Sequence, residues 1–320
     1  MTPSALTPHR RPFRFGVQCS SPPTVSPRSW AELARRVEGL GYSTLTVSDH
    51  LDEQVAPIAA LRAAADATTT LRLGALVFCN DYRHPAVLAK EAATLDALSG
   101  GRFELGLGAG WMLSDYERAG LTLDPPGLRI DRLQEAIAVV KCLFAPGPCT
   151  YAGRYYRVTG LQGTPAPVQR PHPPILVGGG GRRLLSLAGR EADIVGINVN
   201  MAKGVIDASA GLNATAEATE EKVAWAREAA GERWADVELQ VRVHLVVVTD
   251  NRQQVAEALA AGFGLTVDQA LATPHALCGS PDQIAESLVE RRERFGISSI
   301  GVALDALDAL APVVARLAGT

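Results

Sequence analysis

Two short runs carry residue types from which chemistry can be built. The first is Ile175–Val177 followed by Gly178, Gly179, Gly180 and Gly181, with Arg182 and Arg183 next. An apolar strand that ends in consecutive glycines and opens a helix lets backbone N–H groups approach an anion closely. The helix N-terminus adds about half a positive charge at the same place, and the arginines add charge-assisted donors. Ordering so many glycines costs conformational entropy, which a bound phosphate offsets. The bland reading is a flexible turn with surface arginines. The second run is Asp49-His50, directly after the apolar stretch Tyr42–Val47. A histidine at a strand mouth can give or take a proton near neutral pH, and the aspartate can meet an amide-like cofactor edge. The alternative is an Asp49 helix cap beside a packed imidazole.

Other polar residues carry less. Trp111, after Gly108-Ala109-Gly110, walls an apolar pocket or simply joins the core. His84, before Pro85, reads as a capping or packing residue, and His172, His244 and His275 show no partner spacing. There is no GxSxG run and no paired-carboxylate pattern, and Gly106–Gly110 has the wrong spacing for the dinucleotide fingerprint.

The elements that must position these residues centre on Leu71–Gly110. Leu71–Phe78 is an apolar run, Cys79-Asn80-Asp81 turns the chain, and Pro85 suits a first helical turn. Helical spacing runs to Leu98, Ser99-Gly100-Gly101 stops it, and Phe103–Leu107 is a second buried strand. A βαβ unit of this kind makes its strands parallel with a right-handed crossover. Around it, strands are expected at 13–18, 42–47, 175–177, 193–197, 237–248 and 298–303, each followed by a helix, among them 27–39, 57–67, 130–144, 182–190, 216–230 and 281–295. A surface hairpin is expected around Ala152-Gly153, and 111–129 reads as an excursion with little periodicity. Eight strand–helix pairs describe an α/β fold, a (β/α)8 TIM barrel with insertions, as one domain over 13–320 behind a disordered tail, 1–12. In such a barrel the site gathers loops at the C-terminal strand ends. These are Gln18–Ser20, Asp49-His50, Cys79-Asn80, Gly108–Trp111, Gly178–Gly181 and Asn198.

Composition bounds the function. Hydrophobic residues make up 47% of 320 and suffice for a large core, while no stretch reads as a membrane span or a signal-peptide centre. A net charge of −3 gives no reason to expect nucleic acid or an anionic membrane. The five cysteines are scattered without a CxxC pair, so neither a metal site nor a disulfide framework is expected, and a cytoplasmic chain with free thiols is.

The stretches AELARRVEGLGYSTLTVSDHL (31–51), RLGALVFCNDYRHPAVLAKEAATLDALSGGRFELGLGAGW (72–111), RLQEAI (132–137), PPILVGGGGRRLLSLAGREADIVGI (173–197) and GSPDQIAESLVERRERFG (279–296) resemble the luciferase-like monooxygenase superfamily, and within it the branch that uses coenzyme F420. The resemblance implies a bacterial luciferase-like barrel, often a homodimer, with an isoalloxazine-like ring across its mouth. It places Asp49 at the ring edge and His50 before the substrate as the catalytic proton partner. Leu76 and Val77 would back the ring across a non-proline cis peptide, with Cys79 and Asn80 lining it. Gly108, Ala109 and Gly110 would border the ribityl chain, with Gly178, Gly179, Gly180 and Gly181 around the phosphate. Trp111, Gln18 and Asn198 would face a small-molecule substrate. The sugar-phosphate dehydrogenases of this superfamily carry an acidic residue where this chain has Trp111, which favours an apolar or aromatic substrate face. The expected function is F420-dependent hydride transfer. The alternatives are an FMN-dependent monooxygenase, using reduced flavin and oxygen, and a flavin-binding or light-emitting accessory protein.

Overall fold

The computed structural model describes residues 11–20, 25–52, 54–202, 204 and 209–320, with side chains of 209 and 210 excepted. Most of the expected tail, residues 1–10, lies outside the described residues. Eight strands form the barrel: β1 (Arg14–Cys19), β2 (Thr44–Val47), β3 (Arg72–Ala75, resuming at Phe78–Cys79), β4 (Phe103–Gly108), β5 (Ile175–Gly179), β6 (Ile194–Ile197), β7 (Glu238–Arg242) and β8 (Ile297–Ala303). Each pairs in parallel with its sequence neighbour. β8 returns to β1 through Arg14↔Ser299 to Gln18↔Ala303, and Leu73↔Phe103 joins β3 to β4, closing the ring. No helix among the described residues is long and apolar enough to cross a membrane.

Alternation along β1 shows how the barrel fills. Phe15, Val17 and Cys19 are fully buried against the surrounding helices. The other face, Arg14, Gly16 and Gln18, turns to the barrel axis. At the N-terminal end Arg14 donates to Glu238 at 2.9 Å, to Thr44 at 3.2 Å and closely to Glu104, which Arg72 also bonds at 2.5 Å. This ion cluster plugs the bottom of the barrel. Burial alone would raise the Glu104 carboxyl, but Arg14 and Arg72 outweigh burial and hold it below the ordinary range.

Above the plug the axis is lined by small residues. A Cβ on Gly196 would lie 3.2 Å from the Gln240 amide, and one on Gly301 would lie 2.7 Å from it. One glutamine therefore fills a layer that glycines leave open, and the space above it becomes a cavity.

Three expectations are corrected. The strand expected at 237–248 is two. β7 stops at Arg242, and Leu245–Val248 pairs instead with Ala276–Gly279, outside the barrel. The handover is made by Val243 N–H to Gly301 O and His244 N–H to His275 O, both 2.8 Å. The excursion 111–129 contains a helix, Leu113–Ala119, and the next helix begins at Pro126. Finally, Cys142 and Cys149 form a disulfide with Cα atoms 5.4 Å apart, so free thiols hold only for Cys19, Cys79 and Cys278. The hairpin Pro148–Ala152/Arg157–Gln162 folds back over helix Pro126–Phe144, which brings the two sulfurs together without a CxxC spacing.

Candidate active site

A cavity of about 880 Å³ opens at the C-terminal strand ends. Its wall brings together Gln18, Asp49, His50, Leu76, Val77, Cys79, Gly108, Ala109, Gly110, Trp111, Gly178–Gly181 and Asn198, contributed by the ends of β1 to β6. Asn80 is not among them. It is buried in an adjoining depression, where its amide donates to Tyr156 Oη at 3.2 Å. The turn Asn80–Tyr82 rotates it away from the side chain of Cys79, which is the correction to its expected place at the ring.

His50 is held by a residue that periodicity does not reveal. Its Nδ1 lies 2.6 Å from Asp115 Oδ2. A carboxylate accepts, so Nδ1 carries a proton, and Nε2 is the ring nitrogen left for a substrate. Asp115 is 3% exposed and also receives the Tyr82 hydroxyl at 3.1 Å and the Leu51 N–H at 3.4 Å. Burial, then the nearby Cys79 and Asp115, keep the Tyr82 phenol well above its ordinary range, so it remains a donor. Trp111 meets the imidazole edge-on, with ring centroids 5.7 Å apart at 88°. The tryptophan thus walls the pocket beside the histidine instead of joining the core.

On the strand next to β2, β3 breaks at Leu76–Val77, whose peptide bond is cis, as the resemblance implies. The glycines of β4 make room for this bulge. A Cβ on Gly106 would lie 2.0 Å from Ala75 O, and one on Gly108 would lie 2.5 Å from Val77 Cγ2. Gln18 ties the bulge to the end of β7: its amide donates to Leu76 O at 2.7 Å and accepts from Arg242 Nε at 2.6 Å. Beyond β4, the buried Arg129 donates to Ala109 O at 3.1 Å, to Gly110 O and to Asp124 O at 2.7 Å. That clamp fixes the loop carrying Trp111, and sequence reasoning missed it. Burial pushes the Cys79 thiol up to about 11, so it stays protonated and donates to Tyr116 Oη at 3.4 Å.

Asp49 lines the cavity, but its carboxylate is already engaged. Cys79 N–H donates to it at 2.9 Å, and Arg83 grips it with bonds of 2.6 and 3.1 Å. It clips the ends of β2 and β3 together. The glycine run divides its labour too. A Cβ on Gly180 would lie 2.4 Å from Asn200 N, so that glycine lets the chain pass the loop after β6. A Cβ on Gly181 would lie 3.7 Å from the Asn200 amide, an ordinary contact, and Gly181 caps helix Arg182–Glu191 without a side chain. The first N–H groups of that helix are thereby left for a ligand on the cavity wall. Arg182 and Arg183 pair with Glu228 at 3.6 Å and with Asp131. Asn198 accepts from His244 Nε2 at 2.8 Å, and its carbonyl accepts from the buried Lys222 at 2.9 Å. Burial lowers that ammonium to about 8.

These features fit a flavin or deazaflavin phosphate. An uncapped helix N-terminus supplies donors on the cavity wall, and an apolar surface at Leu76–Val77 lines the same cavity as a histidine anchored through Nδ1.

An F420-dependent glucose-6-phosphate dehydrogenase of Microbacterium testaceum is 34% identical over 190 residues, covering 57% of this chain and 55% of the relative. An FMNH2-dependent dimethylsulfone monooxygenase of Pseudomonas putida is 29% identical over 182 residues, covering 56% of this chain and 50% of the relative. The chain thus spans about half the length of these relatives. In structure, the coenzyme F420 dependent tetrahydromethanopterin reductase of Methanopyrus kandleri superposes with a TM-score of 0.76 at 19% identity, covering 96% of this chain and 99% of the other. The luciferase-like monooxygenase family model matches residues 12–273. With that match over most of its length, the chain belongs to the luciferase-like monooxygenase family.

Proposed function

We propose that the chain is a coenzyme F420-dependent oxidoreductase acting on a small organic substrate, with His50 as the proton partner. The observation that carries the reading is the His50–Asp115 pair at the mouth of a cavity that the Leu76–Val77 bulge of the neighbouring strand also lines. When bound, the deazaflavin supplies hydride transfer at its C5. The chain's residues do the rest. The N–H groups at Gly178–Gly181 hold the phosphate, Leu76, Val77 and Cys79 back the ring, and Gly108–Gly110 border the ribityl chain. Asp49 borders the ring edge while clipped by Arg83. His50 Nε2 takes a proton from a substrate hydroxyl as the carbon loses hydride, or returns it in the reverse direction. Asp115 holds the imidazole by Nδ1 throughout.

Trp111 occupies the place where an acidic residue serves the sugar-phosphate dehydrogenases, so sugar-phosphate oxidation is not proposed. The same tryptophan and the FMNH2-dependent relative support the second reading, an FMN-dependent monooxygenase. A two-fold dimer is part of the proposal, supported by Val87 and Leu98, 52% and 56% exposed on helix Pro85–Leu98. So are a single domain over 13–320 and a cytoplasmic location, which three buried unpaired thiols support and the Cys142–Cys149 disulfide opposes. Anaerobic mixing with reduced and with oxidised F420 tests the function. Hydride exchange with added alcohols or ketones in the absence of oxygen is expected, and turnover that requires oxygen and reduced FMN would replace this reading with the second.

A further inference from the structure

Charge on the cavity wall is balanced everywhere except at the ends of β6 and β7. Among the described residues the carboxylates on that wall are Asp49 and Asp115, paired with Arg83 and His50. Arg182 and Arg183 face Glu228 and Asp131, and Arg129 is engaged by the three carbonyls of its clamp. Arg242, at the end of β7, forms no ion pair among the described residues. Its Nε donates to Gln18 and its Nη1 to the carbonyls of Val243 and Gly301. Nη2 has no partner there, yet it is not among the enclosed polar atoms, so its hydrogens are open on a residue that lines the cavity. Burial lowers the guanidinium to about 10 against the pull of Asp305, so it stays charged at neutral pH.

A second unused donor lies beside it. Ile197 is in register with Val241, which sets the next residues, Asn198 and Arg242, side by side. Asn198 Oδ1 accepts from Val199 N–H and from His244 Nε2, both at 2.8 Å, and this fixes the amide. Its Nδ2 has no partner among the described residues and also keeps open surface on the cavity wall. The Asn198 carbonyl accepts from Lys222, a second cation without an ion pair among the described residues. Desolvation, then the nearby Arg242, lowers His244 to about 4, so its ring adds no charge. A cation held in a cavity with a donor unfilled costs free energy that an anionic ligand recovers.

We propose that the ends of β6 and β7 form an oxyanion site, and that the substrate is an organic carboxylate held there by Arg242 Nη2 and Asn198 Nδ2. The proposal rests on reading the cavity as that of a cofactor-dependent oxidoreductase and names the charged end of its substrate. The cofactor phosphate belongs at Gly178–Gly181, at the end of β5, two strands from Arg242. The wall that remains for the body of the molecule includes Trp111, which suits an apolar or aromatic group. A single charge matches the site, because Nε and Nη1 of the guanidinium are already engaged and one nitrogen is left to donate.

The test is binding rather than turnover. The probes are 2-naphthoate and 2-naphthamide, near-isosteres of which only the first is charged, titrated by calorimetry at pH 7 into protein saturated with F420 or FMN. Wild type is expected to bind the naphthoate about 10-fold or more tighter than the amide. Arg242→Met should remove that preference while still binding both probes. Asn198→Asp keeps the oxygen that accepts from Val199 and His244 but replaces the donor with a second carboxylate oxygen. It should weaken the naphthoate by about 10-fold or more and change the amide by less than about 3-fold, and it decides the matter if Arg242→Met fails to fold. Equal affinities in wild type, or a preference that survives Asn198→Asp, would overturn the proposal. So would failure of both probes to bind. Naphthoate that binds cofactor-free protein and is displaced on saturation would assign Arg242 to the cofactor and overturn it as well. The expected preference in a protein that transfers no hydride would count against the proposed function alone.

Discussion

The imidazole of His50 donates through Nδ1 to the carboxylate of Asp115 at 2.6 Å, across 65 residues of sequence. His50 lies in the loop that follows β2, whereas Asp115 sits on the short helix Leu113–Ala119. The barrel brings them together, and the contact settles which nitrogen of the histidine is available for proton transfer.

Asp115→Asn should therefore disturb chemistry more than binding. The amide can turn either its oxygen or its NH2 to the ring, so the tautomer is no longer dictated. Turnover is expected to fall by about 10- to 100-fold with cofactor affinity changed by less than about 2-fold. His50→Ala should fall further, by about 10²–10⁴. Steady-state kinetics and cofactor titrations on both variants check this. Equal losses in affinity and turnover would make Asp115 a fold residue only.

Phosphate recognition is best probed at Gly181. A side chain at Gly180 would strike Asn200, and a lost affinity there would confound charge with packing. Gly181 has φ −102°, and a Cβ there would meet only the Asn200 amide at 3.7 Å, so Gly181→Asp adds a carboxylate at the helix N-terminus without a Cβ clash. Cofactor affinity should drop by about 10-fold or more with an unchanged melting temperature. An unchanged affinity would move the phosphate elsewhere.

Acid stability should trace to the plug at the bottom of the barrel. Glu104 has its pKa depressed by Arg14 and Arg72 despite burial, so its contribution is complete above the unfolded value, about 4.3. That contribution is lost as pH falls toward the folded value. Glu104→Gln leaves two cations around an uncharged amide. It should cost about 3 kcal/mol or more at pH 7 and flatten the fall in stability below about pH 4. Urea unfolding at pH 7, 5 and 3.5 measures it; parallel curves for wild type and variant would refute it.

Much of this architecture was legible from residue pattern, and the exceptions have physical causes. Apolar runs bounded by glycine and proline gave the order of barrel strands, and the polar residues directly after them, Asn80 excepted, fell on the cavity wall. Val237–Val248 read as one strand because a β-branched run looks the same whether it crosses one sheet or leaves it for another. Asp115 was hidden in a seven-residue helix too short to show a period. Its signal was only a carboxylate shortly after the aromatic at the end of β4. Cys142 and Cys149 are far from a CxxC spacing, and only the hairpin's return over the helix brings them together. The glycines of β4 read as a cofactor border, whereas Gly106 and Gly108 first of all admit the Val77 bulge.

Self-association should follow from helix Pro85–Leu98, where Val87 and Leu98 lie on one outward face. Sedimentation should show a two-fold dimer burying more than about 1,000 Å². Val87→Glu together with Leu98→Glu should give a monomer with the barrel intact. A concentration-independent wild-type monomer would remove the dimer from the account.

The central claim is that this cavity is built for a deazaflavin, and direct titration of cofactor-free protein tests it most plainly. F420 and FMN are added separately, and binding is followed by the fluorescence of each. The account predicts that F420 binds about 10-fold or more tighter than FMN, and that Gly181→Asp weakens it. Tighter binding of FMN, or no binding of F420 at all, would contradict it.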